Sequence, residues 1–223
     1  MPDIQLYIIE HGTVLESATR QQWLSLLSTS DQQRYLRFQR WQDSQAFLLG
    51  RMLLAYGLTC AGKSLSLLKT FNFPPFQKPH LNHSELEFNI SHSGSVVVCG
   101  VGQVAVGVDV ELVHDNIALA DYEMMFCHQE LQYLESISPS ELPVAFSRLW
   151  TRKEAVLKLV GDGLGGDLKQ LNCLNDATNY KGQPVYLYPF HPGEKVAGHM
   201  AAFEPITLSF SHLSCHHFSS LLI

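Results

Sequence analysis

Residues Val106–Leu112 constrain the fold of this chain most, because they alternate between apolar and acidic side chains. Successive side chains of a β-strand point to opposite faces, so the two carboxylates, Asp109 and Glu111, share one face and the valines share the other. Neighbouring carboxylates repel each other and raise each other's pKa unless a cation lies between them. Such a pair therefore indicates a hard metal ion bound by oxygen ligands. Taken alone, the same pattern is more often a half-buried strand with one solvated face.

A second segment, residues 149–158, has the pattern of a charged helix. It supplies a third carboxylate, Glu154, with Lys153 and Lys158 nearby. Mg²⁺ prefers oxygen ligands and ammonium groups bind phosphate oxygens, so the two segments together suit a site for Mg²⁺ and a diphosphate. On its own the second segment is an ordinary helix surface, with Glu154 and Lys158 as a pair four residues apart.

Length and composition exclude several classes of protein. A chain of 223 residues fits one large domain or two smaller ones, and 46% hydrophobic with 16% charged residues predicts a folded, soluble protein. The five cysteines show no Cys-x-x-Cys spacing, which argues against a zinc ribbon or a disulfide framework. No apolar stretch approaches the roughly 18 residues of a membrane span, and no basic region followed by an apolar block opens the chain. We therefore expect a cytoplasmic protein that does not enter a membrane.

The charge pattern restricts the possible ligands. A formal net charge of −6 argues against a broadly basic nucleic-acid binder, since such binding needs a clustered positive surface. Basic residues nevertheless concentrate in residues 31–51 and 145–160. Two basic stretches on an acidic protein suit an anionic small ligand, an acidic protein partner, or both.

The first half is predicted to alternate between strands and helices. In order, the elements are a strand at 4–10, a helix from about residue 17, a helix capped at 30–33, a longer apolar helix at 46–56, a region of strand and loop from 67 to 72, a strand at 86–90 and a buried strand at 95–101. Asp43 is predicted to cap the long helix and Gly57 to end it. The prolines of residues 73–80 exclude a helix or a central strand there. Residues 91–94 are predicted as a turn with hydroxyl, imidazole and N–H donors for phosphate oxygens.

The second half is predicted to repeat this plan. Its elements are a strand at 104–112, helical segments at 117–125 and 128–136, a helix at 141–160 with Pro143 in its first turn, and strands at 184–190, 196–203, 206–212 and 216–222. Four glycines, at 161, 163, 165 and 166, are expected to end the helix and form a loop. Strand, helices and strands twice over predict an α+β fold of two similar subdomains, with a boundary near residues 103–106.

Three short motifs occur in a specific order. They are Phe88-Asn-Ile-Ser-His-Ser, Gly107-Val-Asp-Val-Glu, and Trp150-Thr-Arg-Lys-Glu-Ala with Lys158. Each is common by chance, but in this order and at these separations they closely resemble the 4′-phosphopantetheinyl transferases of the two-subdomain, surfactin-synthetase-activating type. The resemblance covers most of residues 30–165 and is weak beyond about residue 170.

The resemblance implies a fold and its division. Two α/β-sandwich-like subdomains with pseudo-twofold symmetry would place the active site in the cleft between them. We assign residues 1–104 to the subdomain that holds the 3′-phosphate and adenine side of coenzyme A. Residues 105–223 would carry the Mg²⁺ site and dock the carrier protein. We expect a monomer, because two similar subdomains in one chain can form the cleft that a smaller relative builds by association.

The resemblance also implies a reaction. The phosphopantetheine arm of coenzyme A would pass to a serine of an acyl or peptidyl carrier protein, with Mg²⁺ as cofactor and 3′,5′-ADP as the second product. The implied metal ligands are Asp109, Glu111 and Glu154. The implied coenzyme A ligands are Arg34, Lys78, Ser91, His92 and Lys153. The implied catalytic residues are Glu154, Lys158 and Asp109, with Lys158 near the leaving group and Glu154 as the candidate base for the serine proton.

Three positions depart from the pattern of these relatives. Asp31, Ala46 and Asp162 stand where relatives often carry basic residues. These departures raise the question of how tightly, and by which side chains, the adenosine end of coenzyme A is bound. They also motivate an alternative hypothesis: a non-catalytic protein that binds coenzyme A or carrier proteins without turnover. A third hypothesis, a Mg²⁺-dependent diphosphate hydrolase, ranks last because the chain has no Glu-rich helix of the kind such hydrolases often use.

A docking surface for the carrier is also predicted. Carrier proteins are typically acidic, so Arg148 and Arg152 with the apolar residues 122–126 are a candidate dock. A solvated helix face is an equal alternative for these arginines. Whether the carrier belongs to fatty-acid, polyketide or peptide synthesis stays open at this point.

Overall fold

Two four-stranded β-sheets pack against each other, and a long helix covers the outer side of each. The computed structural model describes residues 1–72, 78–82, 84–163 and 168–222. The strands are β1 (Asp3–Glu10), β2 (Phe71–Asn72), β3 (His80–Leu81), β4 (Glu87–Ser93), β5 (Val96–Gly102), β6 (Val106–Leu112), β7 (Ala177–Tyr180), β8 (Gln183–Phe190), β9 (Val196–Ala202) and β10 (Thr207–Leu213). The α-helices are α1 (Ser17–Ser25), α2 (Thr29–Tyr35), α3 (Trp41–Cys60), α4 (His128–Ser136) and α5 (Leu142–Val160). Short 3₁₀ segments lie at Leu65–Thr70, Leu119–Met125, Leu168–Gln170 and Cys215–Leu222.

The strand order shows how the two halves are joined. The first sheet has the order β10-β1-β5-β4, the second has the order β6-β9-β8-β7, and β2 with β3 forms a separate pair. β10 runs parallel to β1, with Thr207 opposite Asp3. The other neighbours in both large sheets are antiparallel. β10 therefore completes the first sheet although it lies in residues 105–223, the range we assigned to the second subdomain. The division at 104/105 stays a prediction, and this strand crosses it.

The alternation of side chains along the strands explains the layers. In β1, Tyr7 and Ile9 pack against α3, whereas Leu6 and Ile8 pack against the second sheet. The valines of β6 enter the same core between the sheets, and the opposite face of β6 meets α5. The fold is therefore an α/β/β/α arrangement of two similar halves, which confirms the α+β class. Among the described residues, no helix has the length and apolarity that crossing a bilayer would require.

Glycine at position 57 does not end the long helix, as the sequence suggested. α3 continues to Cys60 and begins at Trp41, so Asp43 lies in its first turn and is not its cap. A Cβ atom at Gly57 would lie 2.9 Å from Val101 Cγ2 and 3.0 Å from Tyr7 Cε2. The glycine thus allows α3 to approach the first sheet closely. The helix before it is capped by Ser28, outside the predicted box, because Ser28 Oγ accepts from Asp31 N at 3.2 Å.

Other boundaries also differ from expectation. β4 runs on through Ser93, so the predicted turn at residues 91–94 is wrong; the turn lies at Gly94, whose φ is 56°, and Ser95. Residues 67–72 are mostly a 3₁₀ segment, residues 216–222 are 3₁₀ and not strand, and β7 was not predicted. α5 is confirmed, with Pro143 in its first turn and the left-handed Gly161 after its end. Residues 73–77, 165 and 166, for which a loop was predicted, lie outside the described residues.

Candidate active site

The predicted carboxylates lie where β4 and β6, the edge strands of the two sheets, meet. Val108 and Val110 are buried in the core between the sheets, and Asp109 lies on the opposite face, beside α5. The alternation predicted for β6 is therefore confirmed. A Cβ atom at Gly107 would lie 2.0 Å from Ala155 O, so only glycine lets the backbone of α5 come this close to β6.

Asp109 is the most enclosed of the three carboxylates, with 2% of its surface exposed. Its Oδ1 atom accepts from Lys158 Nζ at 2.6 Å and from Ser91 Oγ at 3.0 Å. Its Oδ2 atom is buried and has no hydrogen-bond partner among the described residues. Burial raises the pKa of Asp109, while the charge of Lys158 lowers it in part. One carboxylate oxygen is thus engaged and the other is left for a ligand.

Glu111 and Glu154 bring two more carboxylates to the same place. Glu111 Oε2 accepts from Ser93 Oγ at 2.9 Å. The Oε1 atom of Glu154, which projects from α5, is buried and also lacks a partner among the described residues. Burial raises the pKa of both side chains, and the negative charge of Asp109 raises it further. The three groups therefore repel one another, and Lys158 is the cation that offsets this repulsion in part.

This donor set fits a hard divalent cation that shares its coordination with another ligand. Carboxylate oxygens are the ligands that Mg²⁺ prefers, and two buried oxygens here have no partner in the part of the chain that the structure describes. Within that part, no group of three or more His, Cys, Asp or Glu side chains is close enough to hold a metal ion by itself. Phosphate oxygens and water are the usual remaining ligands of Mg²⁺.

A cavity of about 310 Å³ opens beside the carboxylates and joins Lys158 to the first half of the chain. Arg34 and His92, both predicted coenzyme A ligands, line it together with Lys158. The Arg34 guanidinium lies 5.4 Å from the centre of the Phe47 ring, which lines the same cavity. The structure therefore assembles cationic and aromatic groups in one place, although they come from α2, α3, β4 and α5.

Arg51 is a cavity residue that sequence reasoning missed. Its Nε atom donates to Asp31 Oδ2 at 2.7 Å, and both residues are buried, at 6% and 5% exposure. The guanidinium also lies over two rings, 4.6 Å from the centre of Phe47 and 3.7 Å from that of Phe71. The departure at Asp31 thus has a structural reason, because this carboxylate neutralises Arg51. An acidic residue inside the basic stretch 31–51 was the available signal. Ala46 also lines the cavity, where it presents only a methyl group.

Lys78 and Asp162 lie near the end of α5. Lys78 Nζ donates to Glu87 Oε2 at 3.3 Å, and a Cβ atom on Gly161 would lie 3.5 Å from Lys78 N. Asp162 pairs with Lys181 at 2.6 Å, and this hydrogen bond lowers its pKa. The departure at Asp162 is therefore also explained by a local ion pair.

Lys153 does not reach the site, and its prediction as a coenzyme A ligand is corrected. The side chain is fully buried, and its Nζ atom donates to Glu130 Oε2 at 2.5 Å and to Leu171 O. Glu130 also accepts from the backbone N–H groups of Cys127 and Cys173. Successive helix residues lie about 100° apart, so Lys153 faces the core of the second half while Glu154 faces β6. Helical periodicity was a signal that could have separated the two.

The predicted docking arginines differ in their surroundings. Arg152 pairs with Asp176 at 2.5 Å and also donates to Cys173 O and Leu174 O, so it stabilises the second half. Arg148 is exposed and lines a groove of about 630 Å³ beside the N-terminal part of α5. Arg152 lines the same groove but pairs with Asp176, so Arg148, the more exposed of the two, is the stronger candidate for docking.

Sequence comparisons match both halves of the chain. Residues 105–192 match the family described as the 4′-phosphopantetheinyl transferase superfamily, and residues 16–103 match the N-terminal family of 4′-phosphopantetheinyl transferase. A Synechocystis sp. protein, provisionally named a 4′-phosphopantetheinyl transferase, is 36% identical over 171 residues, which are 72% of this chain and 67% of that protein. The 4′-phosphopantetheinyl transferase Sfp of Bacillus subtilis is 27% identical over 87% of this chain and 91% of its own length. With both halves matched, this chain belongs to the 4′-phosphopantetheinyl transferase superfamily, as an enzyme of the two-subdomain type.

Proposed function

We propose that this phosphopantetheinyl transferase takes its donor group from coenzyme A and transfers it to a serine hydroxyl of an apo carrier protein, with Mg²⁺ bound and 3′,5′-ADP released. The observation that carries the proposal is the position of Lys158. It donates to Asp109 in the carboxylate site and also lines the cavity that contains Arg34 and His92. A diphosphate between these two places would meet both an ammonium group and the carboxylates.

The cavity chemistry supports a nucleotide donor. Arginine guanidinium groups bind phosphate oxygens through several N–H donors, and aromatic rings pack against a base. The cavity offers both, since Arg34 lies over Phe47 at its wall. Its volume of about 310 Å³ accommodates one end of a large ligand, so the pantetheine arm would leave through the open side.

Asp109, Glu111 and Glu154 are the residues that would hold Mg²⁺, together with oxygens of the diphosphate. When bound, the metal supplies positive charge to the phosphate oxygens. The unpartnered oxygens of Asp109 and Glu154 support this assignment, because a buried carboxylate oxygen without a partner destabilises the ligand-free protein.

The proposed chemical step needs one base and one cation from the chain. The serine oxygen of the carrier attacks the β-phosphorus of coenzyme A, and the bond from that phosphorus to the bridging oxygen breaks. Glu154 is the residue proposed to accept the serine proton. The Lys158 ammonium offsets the charge that develops on the departing 3′,5′-ADP. Positioning and charge stabilisation of this kind account for most of the catalysis of phosphoryl transfer.

The test is a loading assay on a panel of apo carriers from fatty-acid, polyketide and peptide synthesis. Each carrier is incubated with the protein, coenzyme A and Mg²⁺, and its mass is measured. We expect at least one carrier to gain one phosphopantetheine, Asp109→Ala and Glu154→Ala to abolish this gain, and the exposed-carboxylate control Glu135→Gln to retain it. Full loading by Asp109→Ala or Glu154→Ala would contradict the assigned site, and no loading by the wild type would contradict the reaction.

Arg148 is the proposed contact for the acidic surface of the carrier. It is exposed beside a groove whose wall includes Tyr133 and Val144, which gives a cation next to apolar surface. Charge reversal by Arg148→Glu should raise the KM for the carrier and leave the KM for coenzyme A unchanged. An unchanged KM for every carrier would exclude this surface. We also propose a monomer, which sedimentation analysis would test.

A further inference from the structure

The seam between the two sheets is closed by side chains of β4. β6 pairs with β9 along one edge, so the N–H groups on its other edge need different acceptors. Asn89 Oδ1 accepts from Val108 N at 2.9 Å. The Oγ atoms of Ser91 and Ser93 accept in the same way from Val110 N at 3.4 Å and from Leu112 N at 3.0 Å. We call these three contacts the seam ladder.

The seam ladder has a regular register. Residues 89, 91 and 93 share one face of β4 because side chains of a strand alternate, and the N–H groups that they bind also alternate along β6. The two serines also meet side chains of β6, namely those of Asp109 and Glu111.

Each serine hydroxyl has only one proton to donate. Ser93 Oγ accepts from Leu112 N, and its hydroxyl donates a hydrogen bond to Glu111 Oε2, with 2.9 Å between the two oxygens. Ser91 does the same for Asp109 Oδ1 at 3.0 Å, and its oxygen also accepts from Lys158 Nζ at 2.8 Å. Both hydroxyl oxygens are thus fixed by the backbone of β6, and their protons are aimed at the carboxylates.

We propose that Ser93 is a positioning residue that orients Glu111 for the divalent cation, as one rung of the seam ladder. The inference rests on the proposed function, because the cation is part of it. Ser93 is the informative rung, since Ser91 contacts Lys158 and was itself expected to touch coenzyme A. Residues that orient metal-ligating carboxylates typically change metal affinity or activity by about 10–100-fold when they are removed.

The chain provides a matched control for the substitution. Ser95 lies two residues further on, and its Oγ atom donates to Glu10 Oε1 at 3.2 Å, a carboxylate outside the site. Ser93→Ala and Ser95→Ala each remove a hydrogen bond from a serine to a carboxylate, but only Ser93 touches a proposed metal ligand. Ser93→Ala also removes the acceptor of Leu112 N, which Ser93→Thr retains. Ser93→Thr retains the hydroxyl and suits a strand, because threonine is β-branched.

Each variant is titrated with Mn²⁺ in the presence of coenzyme A and without a carrier protein. Electron paramagnetic resonance of the unbound Mn²⁺ measures how much of the ion is bound. No turnover takes place, so the readout is metal binding alone. We expect Ser93→Ala to bind Mn²⁺ about tenfold more weakly than the wild type, and Ser93→Thr and Ser95→Ala to match the wild type. The thermal unfolding midpoint should fall further in Ser93→Ala than in Ser95→Ala, because only Ser93→Ala removes the acceptor of Leu112 N, and Ser93→Thr should restore it.

Two different results would overturn the inference. If Ser93→Ala binds Mn²⁺ as tightly as the wild type, or if Ser93→Thr binds as weakly as Ser93→Ala, the hydroxyl does not orient Glu111, while the proposed reaction stands. If the wild type itself binds no Mn²⁺ with coenzyme A, the metal assignment in the proposed function fails and the role of Ser93 fails with it.

Discussion

Lys158 Nζ lies 2.6 Å from Asp109 Oδ1, so α5 and β6 meet in an ion pair at the seam between the sheets. The Asp109 side chain is 3% exposed, and that of Lys158 is 31% exposed. Lys158→Met should reduce the transfer rate at saturating coenzyme A on the order of 10²-fold, because a cation near the reacting phosphate is lost. Single-turnover loading of a carrier measures this rate. Lys158→Arg should recover part of it, and a Lys158→Met rate close to that of the wild type would exclude the catalytic role.

Breaking the buried Asp31–Arg51 pair should destabilise the first half. Asp31→Ala leaves a buried guanidinium without its partner, which we expect to lower the free energy of unfolding by about 3–5 kcal/mol. Urea denaturation measures the loss. The double variant Asp31→Leu with Arg51→Met is the control, because replacing both charges with apolar groups is often close to neutral. Equal losses in the single and double variants would show that the ion pair itself is not the cause.

Lys153→Met separates a structural lysine from a ligand-binding lysine. The substitution leaves Glu130 buried with only two backbone donors, so we expect a loss of several kcal/mol in the free energy of unfolding. The KM for coenzyme A of the folded variant should not change, and the exposed-lysine control Lys169→Met should alter neither quantity. A raised KM for coenzyme A with unchanged stability would restore Lys153 to the ligand set.

His199 predicts a loss of stability in mild acid. It is 3% exposed, Arg152 Nε donates to its Nε2 atom at 3.3 Å, and its Nδ1 atom lies 2.7 Å from Thr151 Oγ1. Burial, followed by the charge of Arg152, lowers its pKa from 6.5 to about 3. Below pH 6.5 the unfolded chain takes up a proton that the folded protein does not. The stability contribution of the neutral ring is therefore present above that pH and is lost at about 1.4 kcal/mol per pH unit as the pH falls towards 3.

Urea denaturation at about pH 7 and about pH 5 tests the His199 prediction. His199→Gln removes the titrating ring, so its unfolding free energy should fall less between the two conditions than that of the wild type. The other histidines contribute equally to both proteins and cancel in the comparison. Identical pH dependence in the two proteins would contradict a depressed pKa at His199.

The local patterns predicted much of the fold and of the site, and the errors have identifiable causes. The alternation of β6 and the apolar periodicity of α5 placed Asp109 and Glu154 correctly on their elements. Because of Gly94, the turn was predicted to begin too early, at Ser91. The polar residues Asn89 and Ser91 alternate with the apolar Phe88 and Ile90, and this alternation indicates that the strand continues.

Partners that are distant in the sequence could not be predicted locally. Asp31 stands out as an acidic residue in a basic stretch, but its neighbours do not identify Arg51, a helix away, as its partner. The residues near Lys153 likewise do not identify Glu130 as its partner. The seam ladder is likewise invisible in the motifs, because each serine supports a carboxylate on another strand. Ion pairs and hydrogen bonds of this kind depend on which strands and helices become neighbours, which only the fold decides.

The pairing of β10 with β1 has a consequence for how the chain acquires its structure during synthesis. β1 pairs with β5 along one edge, but its other edge stays unpaired until residues 207–213 have been synthesised. Contacts between residues so far apart form slowly, because a long loop has to close first. Until then a growing chain exposes a strand edge that can pair with other chains. Newly made molecules are therefore most prone to aggregate in the interval before β10 leaves the ribosome.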